Sequence, residues 1–229
     1  ENAATPGAYA KTTASLWTVP TLLLEGSRVN LCLRSQDFAA TWAAVGTPTL
    51  AGGTIIGDLA LPTVGDDDAA ALEGYTQVVT FTGNAVKAVS LHVAKGTSTS
   101  AAIRLRDTTA GADRLLAVVT WAASGAPIVT MTTGTLLGVV SFASGVYRLL
   151  FATGAVTAAN NNSLELYPAT DAALAVANVG TTQFGGVQAE NATFPGSYIK
   201  TVAAAVTRAA DVLSFPWTAV PQAMTVYAK

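Results

Sequence analysis

The sequence predicts an all-β protein, an antiparallel sandwich or barrel. Its apolar residues recur mostly with a period of two, turn signals interrupt them at short intervals, and hardly any stretch carries a helical pattern. In Val89-Ser90-Leu91-His92-Val93 and Ile103-Arg104-Leu105-Arg106, apolar and polar side chains alternate. Alternation over a short run marks a half-buried strand, because successive side chains point to opposite faces. Residues 76–81, 114–121, 128–133, 136–142, 146–152 and 163–167 give six further strands, several apolar on both parities, as central strands are. Between them stand Thr82-Gly83-Asn84, Lys95-Gly96-Thr97, Ala110-Gly111-Ala112-Asp113, Ser124-Gly125-Ala126-Pro127 and Ala159-Asn160-Asn161-Asn162. Glycine and asparagine reverse a chain at little steric cost, and short strands so spaced belong to sandwiches and barrels. Residues 67–72 alone suit a helical turn.

Composition narrows the function. The 229 residues carry 12 basic and 14 acidic side chains, and only 11% are charged. A phosphate-tracking surface needs a clustered basic excess, so no nucleic-acid partner is expected. At 51% hydrophobic the chain is not disordered by charge. The most apolar stretch, 136–156, is broken by Arg148, two serines and three glycines, so no membrane insertion is expected. One cysteine, Cys32, and one histidine, His92, leave neither an intrachain disulfide nor a Cys/His zinc site. A surface this poor in charge suits burial against sister copies, hence a homo-oligomer.

A near-repeat bears on domain organisation. Glu1-Asn2-Ala3 with Pro6-Gly7-Ala8-Tyr9-Ala10-Lys11-Thr12 returns 189 residues later as Glu190-Asn191-Ala192 with Pro195-Gly196-Ser197-Tyr198-Ile199-Lys200-Thr201. We expect residues 1–23 to end a preceding repeat and lead into the module, and 24–202 to form it. Residues 203–229 are expected to be a linker and the first strand of a following module or an intersubunit segment, its strand at 223–228.

Leu24-Glu25-Gly26-Ser27-Arg28-Val29-Asn30-Leu31-Cys32-Leu33-Arg34-Ser35-Gln36-Asp37-Phe38, followed by Trp42, resembles the opening of a module found in tailed-phage and prophage virion proteins. Gly185-Gly186-Val187-Gln188-Ala189-Glu190, the Pro195 to Thr201 segment and Val206-Thr207-Arg208-Ala209-Ala210-Asp211 resemble its ending. The resemblance implies a carbohydrate-binding-module-like (concanavalin-like) jelly-roll β-sandwich in a tail fibre, tail spike or head fibre, commonly a homotrimer. It further implies a place on the virion surface, with other virion proteins and host-surface glycan as partners. Val146 stands where the family carries tryptophan, so an aromatic of that strand is missing here.

Candidate chemistry is thin. A Ser-His-Asp mechanism requires His92, which its parity places on a solvated strand face. Glycoside hydrolysis requires two carboxylates across a cleft, and no spacing selects a pair. The expectation is therefore a non-enzymatic module that binds host glycan or decorates the particle, without a cofactor. The alternatives are a polysaccharide-degrading or esterase domain of a tail spike, and a structural connector. Asp66-Asp67-Asp68 offers oxygen ligands of the kind calcium takes. Sugar binding calls for aromatic faces with polar groups beside them. The candidates are Trp121, Tyr147 and Tyr167, with Arg104 and Arg106 on one strand face to meet carboxylates of an acidic glycan or of a neighbouring subunit.

Overall fold

The computed structural model describes residues 25–143 and 145–211. The expected preceding repeat at 1–23 and the strand at 223–228 lie outside the described residues. Fourteen strands run in chain order: β1 (Arg28–Asn30), β2 (Ala43–Val45), β3 (Thr49–Ile56), β4 (Leu59–Asp66), β5 (Gly74–Val79), β6 (Ala88–Lys95) and β7 (Ser100–Asp107). They continue as β8 (Ala112–Thr120), β9 (Ile128–Thr133), β10 (Thr135–Ala143), β11 (Val146–Ala152), β12 (Asn162–Tyr167), β13 (Gly180–Glu190) and β14 (Val206–Arg208). Twelve of them form two six-stranded sheets, β10-β11-β6-β13-β4-β3 and β2-β5-β12-β7-β8-β9, with every pairing antiparallel. The expected fold class, an antiparallel jelly-roll β-sandwich, is what the chain adopts.

The core is the layer between the sheets. Val89, Leu91 and Val93 of β6, Leu149 and Phe151 of β11, and Phe184 of β13 meet Ile103 and Leu105 of β7, Leu115, Ala117 and Val119 of β8, and Leu164 and Leu166 of β12. These are the alternating positions of each strand, and their removal from water is the main favourable term. Burying one such side chain stabilises by about 1.5–3 kcal/mol. Gly134 carries the chain from β9 in one sheet to β10 in the other. Its φ is +83°, and a Cβ there would meet the Ala152 carbonyl at 2.9 Å, so both turn and packing demand glycine.

Residues 67–72 form an isolated hydrogen-bonded turn, closed by Ala71 N–H donating to the Asp68 carbonyl, and no helix follows. The sheets also contain β2, β3, β4 and β13, which the alternation pattern did not single out. Beyond them, the two ends of the module close on each other. β1 pairs with β14 in the register Arg28↔Arg208, and Arg208 forms an ion pair with Glu25 at 2.8 Å. Asn30 is buried with its amide fully used: Nδ2 donates to the carbonyls of Val187 and Ile199, while Oδ1 accepts from the N–H of Cys32 and of Ala189. A buried amide costs little only when satisfied in this way. The attachment continues past residue 202, since the Asp211 carboxylate accepts from the Glu25 N–H at 2.9 Å.

Candidate functional site

The strand parity that builds the core also determines what stands at its open end. On β6 the inward series Val89, Leu91, Val93 ends at Lys95; on β8 the series Leu115, Ala117, Val119 continues one step past the strand to Trp121. On β11, Tyr147 pairs with Val93 and precedes Leu149 and Phe151 on the same face. Three strands thus deliver a lysine, a tryptophan and a tyrosine to one mouth of the sandwich. Together with Ala122, Ser124 and Gly125 they line a cavity of about 290 Å³.

Local bonds hold this end in shape. Trp121 N–H donates to the Thr99 carbonyl at 2.9 Å, and Lys95 Nζ donates to the Ala122 carbonyl at 3.1 Å, tying the loop after β8 to the end of β6. Trp121 and Tyr147 both rest against the core while remaining partly exposed. The indole N–H of Trp121 is buried with no acceptor among the described residues, so packing alone fixes the ring. Aromatic faces so held suit the C–H faces of a sugar, and the volume lies near the lower end of the ~300–1,000 Å³ range of small-molecule sites.

The other three sequence candidates lie elsewhere, on the outer face of the second sheet. Arg104 and Arg106 share that face, and their carboxylate partners come from this chain. Arg104 Nε meets Asp113 at 2.7 Å, Arg104 Nη1 meets Glu165 at 3.4 Å, and Arg106 Nη1 meets Asp113 at 3.0 Å. The Tyr167 hydroxyl donates to Glu165 at 2.9 Å. Tyr167 is buried, and burial, with the Glu165 charge beside it, pushes its hydroxyl pKa up. The structure therefore brings Trp121 and Tyr147 together and adds Lys95, which the sequence reading did not select. Lys95 was legible as the next inward position after Val93, but a charged end to an apolar series reads as an ordinary strand terminus.

His92 departs from its expected surroundings. Its outward parity is as read, yet it is buried beneath a second layer. Tyr198 and Phe142 meet its ring edge-on at centroid distances of 5.6 and 4.8 Å. Gly186, in a bulge of β13 at φ +56°, passes so close that a Cβ there would stand 2.5 Å from Nδ1. Burial, and then the Arg148 charge, push its pKa down to about 4. Neither ring nitrogen has a partner among the described residues, so no nucleophile is hydrogen-bonded to it.

The Asp66-Asp67-Asp68 run ends β4. Asp66 accepts from the N–H groups of Asp68 and Glu73, while Glu73 accepts from Thr47 and Asp67. Asp66 and Glu73 thus hold their own loop, and among the described residues no group of three or more His, Cys, Asp or Glu side chains is placed to share a metal ion. No described helix is long and apolar enough to cross a membrane.

No protein-family model matches the chain, and no curated protein matches it in sequence. Among solved structures it is similar to the enzymatically active domain of tailspike protein 4 of bacteriophage CBA120. The TM-score is 0.41 at 14% identity, over 70% of this chain and 21% of that one, so the chain spans about a fifth of its neighbour's length. At that distance no residue role passes from one to the other. The expectation of a non-enzymatic module is nevertheless corrected here, because the neighbour is an enzymatically active phage tail domain, and absence of catalysis is not carried forward.

Proposed function

We propose that this chain is a module of a phage tail spike or related virion appendage that engages host-surface polysaccharide, with the Lys95–Trp121–Tyr147 pocket as the contact. The observation that carries the reading is the pocket itself: two core-anchored aromatic side chains and one cation converge at the mouth of the sandwich. The virion setting is supported by the resemblance of the two end motifs, whose residues meet in space through β1 and β14. In a homotrimeric appendage such a pocket recurs in each copy, and tethered weak contacts raise the effective concentration at the cell surface.

The test uses the full chain with capsular polysaccharide and lipopolysaccharide from candidate hosts, read both as binding and as release of reducing ends. Binding that Trp121→Ala weakens by about tenfold supports the reading, the size expected for one stacked aromatic. Reducing-end release by the chain would extend it from engagement to depolymerisation. Binding that survives both Trp121→Ala and Tyr147→Ala would remove the pocket from the account.

A further inference from the structure

We infer that the pocket at the open end of the sandwich selects a carboxylated saccharide, a uronic acid or a similarly acidic residue, with Lys95 meeting its carboxylate. The inference rests on the glycan reading above and adds the charge class of the sugar. Lys95 Nζ has a backbone carbonyl, that of Ala122, for a partner, and among the described residues no carboxylate lies within ion-pair distance of it. Among the described residues the lining contains this one cation and no acid.

Several other cations of the described residues have carboxylate partners, while Lys87 and Lys200 bond backbone carbonyls as Lys95 does and Arg28 lies over the Phe194 ring; what sets Lys95 apart is its place in the aromatic-walled cavity. Arg34 pairs with Asp37, Arg104 and Arg106 with Asp113, Arg114 with Asp107, and Arg208 with Glu25 and Asp211. Arg148 spends Nη2 on Ser90 Oγ and the Gly196 carbonyl beneath the strap of residues 194–201. A lysine ammonium carries three donors, and at Lys95 one is committed to Ala122. The rest stand at the rim of a cavity walled by Trp121 and Tyr147. A sugar whose ring packs on the indole presents an equatorial carboxylate at the ring edge, where a flexible lysine stem can meet it without bidentate geometry. The aromatic walls also exclude water from one side of the contact, which strengthens it relative to an exposed pair.

The experiment titrates the full chain with a uronic-acid oligosaccharide and with its carboxyl-reduced, neutral counterpart of the same linkage. The acidic form is expected to bind about five-fold more tightly at low salt, near the upper end for a partly exposed ion pair. That advantage, read as the ratio of the two affinities within each protein, should shrink in 0.5 M salt, disappear in Lys95→Gln and persist in Lys95→Arg. Equal binding of the two sugars, with Trp121→Ala weakening both, would overturn the charge selection and leave the glycan reading standing. An acidic advantage that survives Lys95→Gln would overturn the role of Lys95. Binding of neither sugar, nor of any host polysaccharide, would overturn both readings together.

Discussion

At the open end of the sandwich Lys95 stands beside Trp121 and Tyr147 with a backbone carbonyl for company. On the outer face of the second sheet Arg104 and Arg106 stand beside Tyr167 with Asp113 and Glu165 already in place. The residue types are nearly the same in the two regions, an aromatic ring and a cation within reach. What separates them is the partner. Where the chain supplies its own carboxylates, the charges are spent on holding strands β7, β8 and β12 in register. At the open end the described residues supply none, and the proposed contact pairs that cation with the sugar. The outer face of the first sheet follows neither pattern, since His92 and Arg148 are covered by the strap that carries Tyr198.

The largest expected effect tests that division through pH. His92 is neutral and buried with its pKa near 4, whereas in the unfolded chain it returns to about 6.5. A depressed folded value means the unfolded state binds the proton more readily, so stability is full above about pH 6.5 and falls as pH drops toward 4. The loss is on the order of 3 kcal/mol across that window. Urea unfolding of the wild type and of His92→Leu at pH 7 and pH 4.5 checks it: the variant should lose the part of the slope that His92 contributes. Glu190, whose carboxyl pKa burial raises, titrates in both proteins and cancels in the difference. An unchanged slope would mean that the second layer does not cover His92.

Breaking the ion-paired face comes next. Arg104→Met leaves Glu165 and Asp113 facing each other with their main cation gone, at a cost of about 2 kcal/mol, discounted because the side chains keep some exposure. For a chain of this size that lowers Tm by roughly 4–8 °C. Polysaccharide affinity should not move. Trp121→Ala should weaken polysaccharide binding by about tenfold, or roughly 1.4 kcal/mol, and also lower Tm because its ring packs on the core. If both variants lose binding together, the two regions are not separable and the comparison fails.

Much of this was legible before any coordinates. All eight strands read from alternation are present, because a face that packs on a core must repeat every second residue. β13 escaped because Gly180, Gly185 and Gly186 interrupt its pattern, and each sits where a Cβ would collide with a neighbouring chain segment. β3 escaped similarly: Gly52 and Gly53 break the run, and the strand bulges between Ala51 and Thr54. At the site, sequence offered Trp121 and Tyr147 as aromatic candidates but not as neighbours, since they are 26 positions apart and are carried by strands of different sheets, β8 and β11. Nor did it show that Arg104 and Arg106 were already neutralised. Asp113 reaches both through a register shift in the β7–β8 pairing between Leu105 and Arg106. His92 was misplaced for a related reason. Alternation says which side of a sheet a residue takes, and nothing about a strap that arrives from a hundred residues later.

The smallest expected effect is also the sharpest discriminator. Tyr167→Phe keeps the ring, its packing against Gly74 and its place beside Ala102, and removes only the hydroxyl that donates to Glu165. Glu165 keeps Arg104 as a partner, so one hydrogen bond to a charged acceptor is lost without stranding the carboxylate, and stability should fall by about 1 kcal/mol. Because Tyr167 is buried on the ion-paired face, polysaccharide affinity should match the wild type within error in the same titration that shows the Trp121→Ala loss. A fall in affinity from this single oxygen would mean that the second sheet's outer face, and not only the open end, meets the sugar. The charged array around Arg104 would then have to open to admit it.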